Sequence, residues 1–219
     1  MVDAVGRYRT RVGSQEVDLP LVPLADDLAI ALLITVDYGV HFAERAGAEL
    51  AELLAPYEAE MVVTVATMGI PLAIEVTRAL GLDDYLILHK TPKIHLQDAI
   101  AEPVNSITTD TPQRLLFDRS RVPMAAGRRV AVVDDVISTG ASVSAALKIL
   151  RRVGAEPVAV GAMLTEATTW KTALGDQASL VHALGAIPVF RRQGSGELVE
   201  DWDGSSDRDA VVASATPEP

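Results

Sequence analysis

Residues 130–142 join a short apolar segment directly to the start of a helix, and few folds accommodate such a junction. Residues 130–133 are all apolar and predict a strand buried on both faces, which is typical of parallel sheets covered by helices. Apolar residues then recur at helical spacing over 141–153, and Gly154 ends the predicted helix. A strand that leads within a few residues into a helix forms half of a βαβ unit, so we expect an α/β fold.

The same alternation of strand and helix repeats along the chain. Further strands are predicted at 61–67, 85–89 and 157–164, because these runs are short, apolar and rich in β-branched residues. Helices are predicted over 43–54, closed by Pro56, and over 70–80, ended by Gly81. This order predicts a doubly wound parallel sheet, with ligands bound beyond the carboxyl ends of its strands.

The length and composition limit the class of protein. The 219 residues are enough for one domain, which we place at residues 1–192. The chain has no cysteine, which excludes disulfides, thiolate metal sites and cysteine nucleophiles, and its four scattered histidines predict no zinc site. Residues 1–14 are polar and do not resemble a secretory signal, and the longest largely apolar run, 28–36, is too short to span a bilayer. We therefore expect a cytoplasmic protein without a membrane partner.

The formal net charge is −11, and seven acids against one arginine place −6 of it after residue 193. We interpret 193–219 as an acidic, flexible tail and 1–14 as a peripheral start. An acidic surface lacks the stripe of lysine and arginine that nucleic-acid backbones require, so no nucleic-acid partner is expected. One small phosphorylated ligand, held by a few local donors, is still allowed.

The turn that follows the strand at 130–133 has the chemistry of a phosphate site. A helix N-terminus presents unpaired backbone N–H groups and the positive end of the helix dipole. Hydroxyl side chains in the turn add hydrogen-bond donors, and a glycine lets the ligand approach the backbone closely. The residues concerned are Ser138, Thr139, Gly140, Ala141 and Ser142. Asp134 and Asp135 can accept hydrogen bonds from the vicinal hydroxyls of an attached sugar. Taken singly, these residues indicate only helix capping and a solvated strand end; together they predict a ribose 5-phosphate site.

Four apolar residues, two acids and a Thr-Gly turn resemble the phosphoribosyl pyrophosphate (PRPP) signature of the type I phosphoribosyltransferases. The resemblance covers residues 61–166. It implies catalytic positioning of ribose by Asp134 and Asp135, and a pyrophosphate loop at Ala66, Thr67, Met68 and Gly69 with an unusual non-proline peptide bond. It also implies Mg²⁺ as a cofactor that PRPP brings with it, with no direct protein ligand.

The weakly periodic segment 90–118, interrupted by three prolines, matches the flexible lid of that family. Lid closure would keep water from a cationic transition state. The resemblance makes Lys90 a catalytic candidate and Lys93 a pyrophosphate ligand, although a solvated lysine pair is the alternative. A hairpin of 104–109 against 114–117 is predicted inside this segment.

By the same resemblance, residues of about 15–40 and 165–192 form a hood over the nucleobase. Leu21, Glu166 and Trp170 are the candidate base-binding residues, with Trp170 able to stack on a ring or to serve in the core. Enzymes of this family that act on 6-oxopurines place a lysine after the strand that follows the signature helix. Ala167 stands there in this chain, and Lys171 comes later. The resemblance therefore implies a homodimeric purine salvage enzyme that uses PRPP and favours adenine.

Two alternatives stay open. The enzyme could act on a 6-oxopurine, if Lys171 reaches the base. Residues 62–73 also resemble the corresponding stretch of purine-operon repressors, in which this fold is a PRPP-sensing regulatory domain. The acidic composition and the short segment before the first strand of the signature domain, too short for a winged helix, favour the enzyme.

Overall fold

The computed structural model describes residues 4–96, 98–104, 113–194 and 196–204. Strands and helices alternate through the middle of the chain, and strands predominate at both ends. The strands of these residues are, in chain order, β1 (Gly6–Val12), β2 (Gln15–Pro23), β3 (Leu28–Ala31), β4 (Met61–Val65), β5 (Tyr85–Leu88), β6 (Ile100–Pro103), β7 (Arg114–Phe117), β8 (Arg129–Ile137), β9 (Glu156–Glu166), β10 (Val181–Ala183), β11 (Ala186–Ile187), β12 (Val189–Arg192) and β13 (Leu198–Asp201). The α-helices are α1 (Val40–Leu54), α2 (Ile70–Ala79), α3 (Val122–Ala125), α4 (Ala141–Arg152) and α5 (Thr169–Leu174).

A parallel sheet with strand order β10-β9-β8-β4-β5 forms the centre of the molecule. Successive residues of β4 point to opposite faces, so that Met61 and Val63 pack in one apolar cluster and Val62 in another. The helix α4 covers the first face, and α1 and α2 cover the second. The predicted doubly wound parallel sheet is therefore confirmed. Among the described helices, none has the length and apolar character that a membrane crossing needs.

Both ends of the chain meet in a second, antiparallel sheet of order β1-β2-β3-β12-β13, which we call the hood sheet. Ile30 pairs with Val189, and β13 pairs with β12. Gly6–Val12 and Leu198–Asp201 form the two edge strands of this sheet, so the segment predicted as a flexible tail from residue 193 contains a strand. The hood sheet spans 6–31 and 189–201, and it overlaps the segments 15–40 and 165–192 that the resemblance implies for a hood over the nucleobase.

The described part of the predicted lid is partly structural. The strands β6 and β7 form a two-stranded ribbon, and Leu115 and Phe117 of β7 are buried in the cluster on the α4 face. The strand that pairs with 114–117 is Ile100–Pro103, whereas the sequence predicted 104–109. Val104 continues the pairing through its N–H, which donates to the Gln113 carbonyl. Residues 105–112 lie outside the described residues. The alternating apolar side chains of β7 fix the ribbon against the core.

Candidate active site

A cleft of about 280 Å³ opens at the carboxyl ends of β4 and β8, where ligands bind in sheets of this kind. It brings together ten of the residues that the sequence singled out: Ala66, Thr67, Met68, Lys90, Asp134, Asp135, Ser138, Thr139, Gly140 and Ser142. The sequence reasoning missed its apolar wall, which is formed by Val65, Val136, Ile137 and Val143. The sequence does carry a signal for this wall, because Val136 and Ile137 directly follow the acid pair.

The turn between β8 and α4 presents the helix N-terminus to the cleft. Gly140 precedes the helix with a φ of 77°, a left-handed conformation that favours glycine, and it has no side chain to cap the helix. The N–H of Ala141 donates a long bond of 3.4 Å to Thr139 Oγ1. An added Cβ at Gly140 would lie within 3.2 Å of Trp170 atoms, so the turn is packed from behind. The arrangement suits an anion at the start of α4.

The acid pair lies beside this turn. The Asp135 N–H donates to Asp134 Oδ1 at 3.0 Å. Burial, and then the repulsion of the neighbouring Asp135 carboxylate, raise the pKa of Asp134 well above its usual value, while the Lys90 ammonium acts in the opposite direction. The Asp134 carboxyl group is therefore poorly solvated and lies close to a second carboxyl group, that of Asp135. Hydroxyl donors of a bound sugar would stabilise their charged forms.

The loop between β4 and α2 forms the opposite wall. The peptide bond between Ala66 and Thr67 is cis, and no proline follows it. Thr35, which is buried, donates from Oγ1 to the Met68 carbonyl at 3.1 Å. The Ala66 N–H donates to the Leu88 carbonyl of β5. The loop is thus tied both to the segment that follows β3 and to the neighbouring strand.

Several predicted site residues lie outside the lining of the cleft. Lys93 is exposed, and Ala141 begins α4 just outside the lining. Gly69 ends the loop at 66–69, which we call the Met68 loop, and packs against Thr64 and Asp134. The three candidate base-binding residues are all buried: Leu21 in the core under the hood sheet, Glu166 at the end of β9, and Trp170 against the turn at Gly140.

Trp170 has a structural role in this arrangement. Its indole N–H donates to the Ala167 carbonyl at 3.1 Å, and only 7% of the residue is exposed. The Lys171 ammonium lies 5.5 Å from the centroid of the Trp170 ring. These contacts hold the loop after β9 against the turn at Gly140, and they place Lys171 on the outside of that loop.

The donor set is compatible with Mg²⁺ bound mainly by a ligand. Within the described residues, no group of three or more His, Asp or Glu side chains is placed to hold a metal ion. Mg²⁺ usually keeps several waters and binds through one or two carboxylates together with substrate phosphates. Asp134 and Asp135 offer such oxygen atoms in the cleft.

A parallel sheet that presents a helix N-terminus and two carboxyl groups at its carboxyl edge is the arrangement in which α/β proteins bind anionic ligands. Residues 41–177 match the family model described as the phosphoribosyl transferase domain, so the chain belongs to that family. It is therefore a phosphoribosyltransferase, an enzyme of the pentosyltransferase class.

Relatives of this chain differ in the acceptor that their names state. A xanthine phosphoribosyltransferase of Brevibacillus brevis is 28% identical over 158 residues, which cover 72% of this chain and 80% of that enzyme. An adenine phosphoribosyltransferase of Rhodospirillum centenum is 31% identical over 51% of this chain and 61% of that enzyme. The transcriptional regulator GfcR of Methanococcoides burtonii is 30% identical over 49% of this chain and 45% of that protein.

The solved structure of adenine phosphoribosyltransferase from Thermoanaerobacter pseudethanolicus has the same fold. It superposes with a TM-score of 0.61 at 16% identity, over 77% of this chain and 95% of that one.

Proposed function

We propose that this enzyme transfers the 5-phosphoribosyl group of PRPP to a purine base, with adenine favoured, and releases pyrophosphate in a salvage reaction. The observation that supports this most strongly is one cleft that joins the turn at 138–142, the acid pair and the Met68 loop. A phosphate, a ribose and a pyrophosphate would each find suitable groups in it. The homodimeric assembly and the use of Mg²⁺ that the sequence predicts belong to the same proposal.

Each part of PRPP has a proposed location. The 5-phosphate binds the N–H and hydroxyl groups of 138–142, and Asp134 and Asp135 accept hydrogen bonds from the ribose hydroxyls. The pyrophosphate lies along Ala66–Gly69 and Lys90, with Lys93 reaching it from outside the cleft. Mg²⁺ that enters with PRPP neutralises part of the pyrophosphate charge.

The reaction is a substitution at C1 of the ribose. A ring nitrogen of the base forms a bond to C1 while the C1–O bond breaks, and the pyrophosphate leaves with the electron pair of that bond. The base then loses its ring N–H proton. The residues of the cleft hold both substrates in line and stabilise the leaving group, and the apolar wall at Val136 and Ile137 limits access of water.

The preference for adenine is proposed from the loop that follows β9. Ala167 is 7% exposed and has a φ of 48°, and its methyl group cannot donate to an exocyclic oxygen. Lys171 lies over Trp170 on the outer side of the loop. A 6-oxopurine would leave its O6 without an ammonium donor, and a buried acceptor without a partner costs about 1–3 kcal/mol.

The test measures pyrophosphate release with PRPP, Mg²⁺ and each of adenine, hypoxanthine, guanine and xanthine. We expect adenine to react about 10- to 100-fold more efficiently than the oxopurines. The Asp134→Ala/Asp135→Ala double variant is the background control. Faster reaction of an oxopurine would overturn the adenine assignment. PRPP binding without turnover of any of the four bases would overturn purine transfer and favour a regulatory role like that named for GfcR.

A further inference from the structure

The helix α4 connects the turn at 138–142, which we call the phosphate turn after its proposed ligand, to the β6–β7 ribbon. It begins at Ala141, beside the cleft, and ends at Arg152. Arg152 Nη1 donates to Glu102 Oε2 at 3.0 Å, and Nη2 donates to the Ala101 carbonyl at 2.9 Å. The Glu102 side chain is 18% exposed and that of Arg152 is 50% exposed, so only the carboxylate end of the ion pair is partly shielded from water. One guanidinium thus binds both a side chain and the backbone of β6.

The ribbon in turn holds the strand end that precedes Lys90. Ala101 of β6 is paired with Leu116 of β7. Leu116 exchanges two backbone hydrogen bonds with His89, of 3.0 and 2.8 Å. Lys90, which lines the cleft, is the next residue. A continuous series of contacts therefore runs from Arg152 through the ribbon to the cleft lysine.

We propose that Arg152 is a positioning residue for Lys90, which it holds through the β6–β7 ribbon at a fixed distance from the phosphate turn. The inference rests on the proposed function, in which Lys90 binds pyrophosphate. The 5-phosphate and the pyrophosphate are opposite ends of one substrate, so their binding groups must keep a set separation. The rigid helix α4 sets that separation, because one of its ends is the phosphate turn and the other holds the ribbon.

The ribbon needs such a contact for a physical reason. An isolated pair of strands is only marginally stable, so its position depends on what it packs against. Leu115 and Phe117 are buried in the core and fix β7, and Ile100 packs beside them at the start of β6. The Arg152 contacts hold the middle of β6, at Ala101 and Glu102. The planar guanidinium can hold two acceptors at once, whereas a lysine ammonium lacks this paired geometry.

Arg151 provides a matched control. It is the neighbouring arginine in α4, and its Nη1 donates to Gln177 Oε1 at 2.8 Å, away from the ribbon. Replacement of Arg151 therefore removes the same charge from the same helix end and leaves the β6 contacts intact.

The experiment compares the wild-type chain with Arg152→Ala, Arg152→Lys and Arg151→Ala. The readouts are amide hydrogen exchange at His89 and Leu116, and calorimetric affinities for ribose 5-phosphate and for pyrophosphate with Mg²⁺. Loss of the Arg152 contacts should speed exchange of both amides and weaken pyrophosphate binding about fivefold, with unchanged ribose 5-phosphate affinity. Arg152→Lys should give exchange rates and a pyrophosphate affinity between those of the wild type and of Arg152→Ala. Arg151→Ala should match the wild type in both.

Three negative outcomes are distinguishable. If the wild type binds pyrophosphate and Arg152→Ala matches Arg151→Ala in both exchange and pyrophosphate affinity, the positioning role of Arg152 is overturned. If the wild type binds no pyrophosphate, the proposed function itself fails. A loss of ribose 5-phosphate affinity as large as the loss of pyrophosphate affinity in Arg152→Ala would indicate general damage to the cleft and would also overturn the inference.

Discussion

Gly69 and Asp134 lie so close together that a Cβ atom on the glycine would come within 2.8 Å of the Asp134 Oδ1 atom. The same Cβ would lie closer still to the Thr64 hydroxyl. The loop that follows β4 and the acids of β8 therefore pack against each other where one residue has no side chain. This contact joins two walls of the cleft that come from different parts of the sequence.

The first prediction is that Gly69→Ala displaces this loop. The added methyl group has no room between Thr64 and Asp134, and overpacking of this kind costs about 1–3 kcal/mol of unfolding free energy. Urea unfolding measures this loss of free energy. Pyrophosphate release should also slow, because the displaced loop lines the cleft. Gly194→Ala is the control, because a Cβ there would meet no atom of the described chain within 4 Å. Equal stability of the two variants would contradict the close packing.

The second prediction concerns pH. Burial and the Asp135 carboxylate raise the pKa of Asp134, so the folded chain binds that proton more tightly than the unfolded chain. This contribution to stability is present below the ordinary carboxyl pKa of about 4 and is lost as pH rises through the raised value. Asp134→Asn should therefore become increasingly more stable than the wild type as pH rises above about 4.

Urea unfolding of both proteins from acid to neutral pH measures this difference. The variant should lose activity at every pH, since the amide is uncharged and offers the ribose one acceptor oxygen where a carboxylate offers two. A stability difference that does not change with pH would show that Asp134 has an ordinary pKa.

The third prediction is that Thr139→Ala weakens PRPP binding by about 1–2 kcal/mol, because a hydroxyl donor to a charged phosphate is lost. Thr139→Ser retains the hydroxyl and should bind PRPP nearly as well as the wild type. Calorimetric titration with PRPP and Mg²⁺ compares the three proteins. The same affinity in all three would place the 5-phosphate elsewhere.

The fourth prediction is that Thr64→Val stabilises the free protein. Thr64 is fully buried, and its Oγ1 has no hydrogen-bond partner in the described structure. An unpaired buried hydroxyl costs about 1–3 kcal/mol, and valine replaces it with a group of similar shape. A higher midpoint of thermal unfolding is expected. A lower midpoint would mean that the hydroxyl has a partner in solution.

The sequence predicted those parts of the site that are contiguous. Asp134, Thr139 and Ser142 follow one another across a strand, a turn and a helix start, so their grouping depends only on local geometry. The family resemblance implied that the Met68 loop belongs to the same cleft, and the loop does line it, at the edge that the carboxyl ends of parallel strands share. The register of the ribbon was not predicted, because the pairing of Ile100 with Phe117 depends on which of its side chains are buried in the core.

The sequence by itself determined the parallel sheet and the glycine turn at 138–142, because apolar runs, helical periodicity and a glycine turn are local properties of neighbouring residues. Only the tertiary structure decided the hood sheet, in which Ile30 meets Val189 across most of the chain. The same holds for Trp170, which packs behind Gly140 rather than in the cleft. Such contacts depend on which distant surfaces bury each other, and no spacing within one segment specifies that choice.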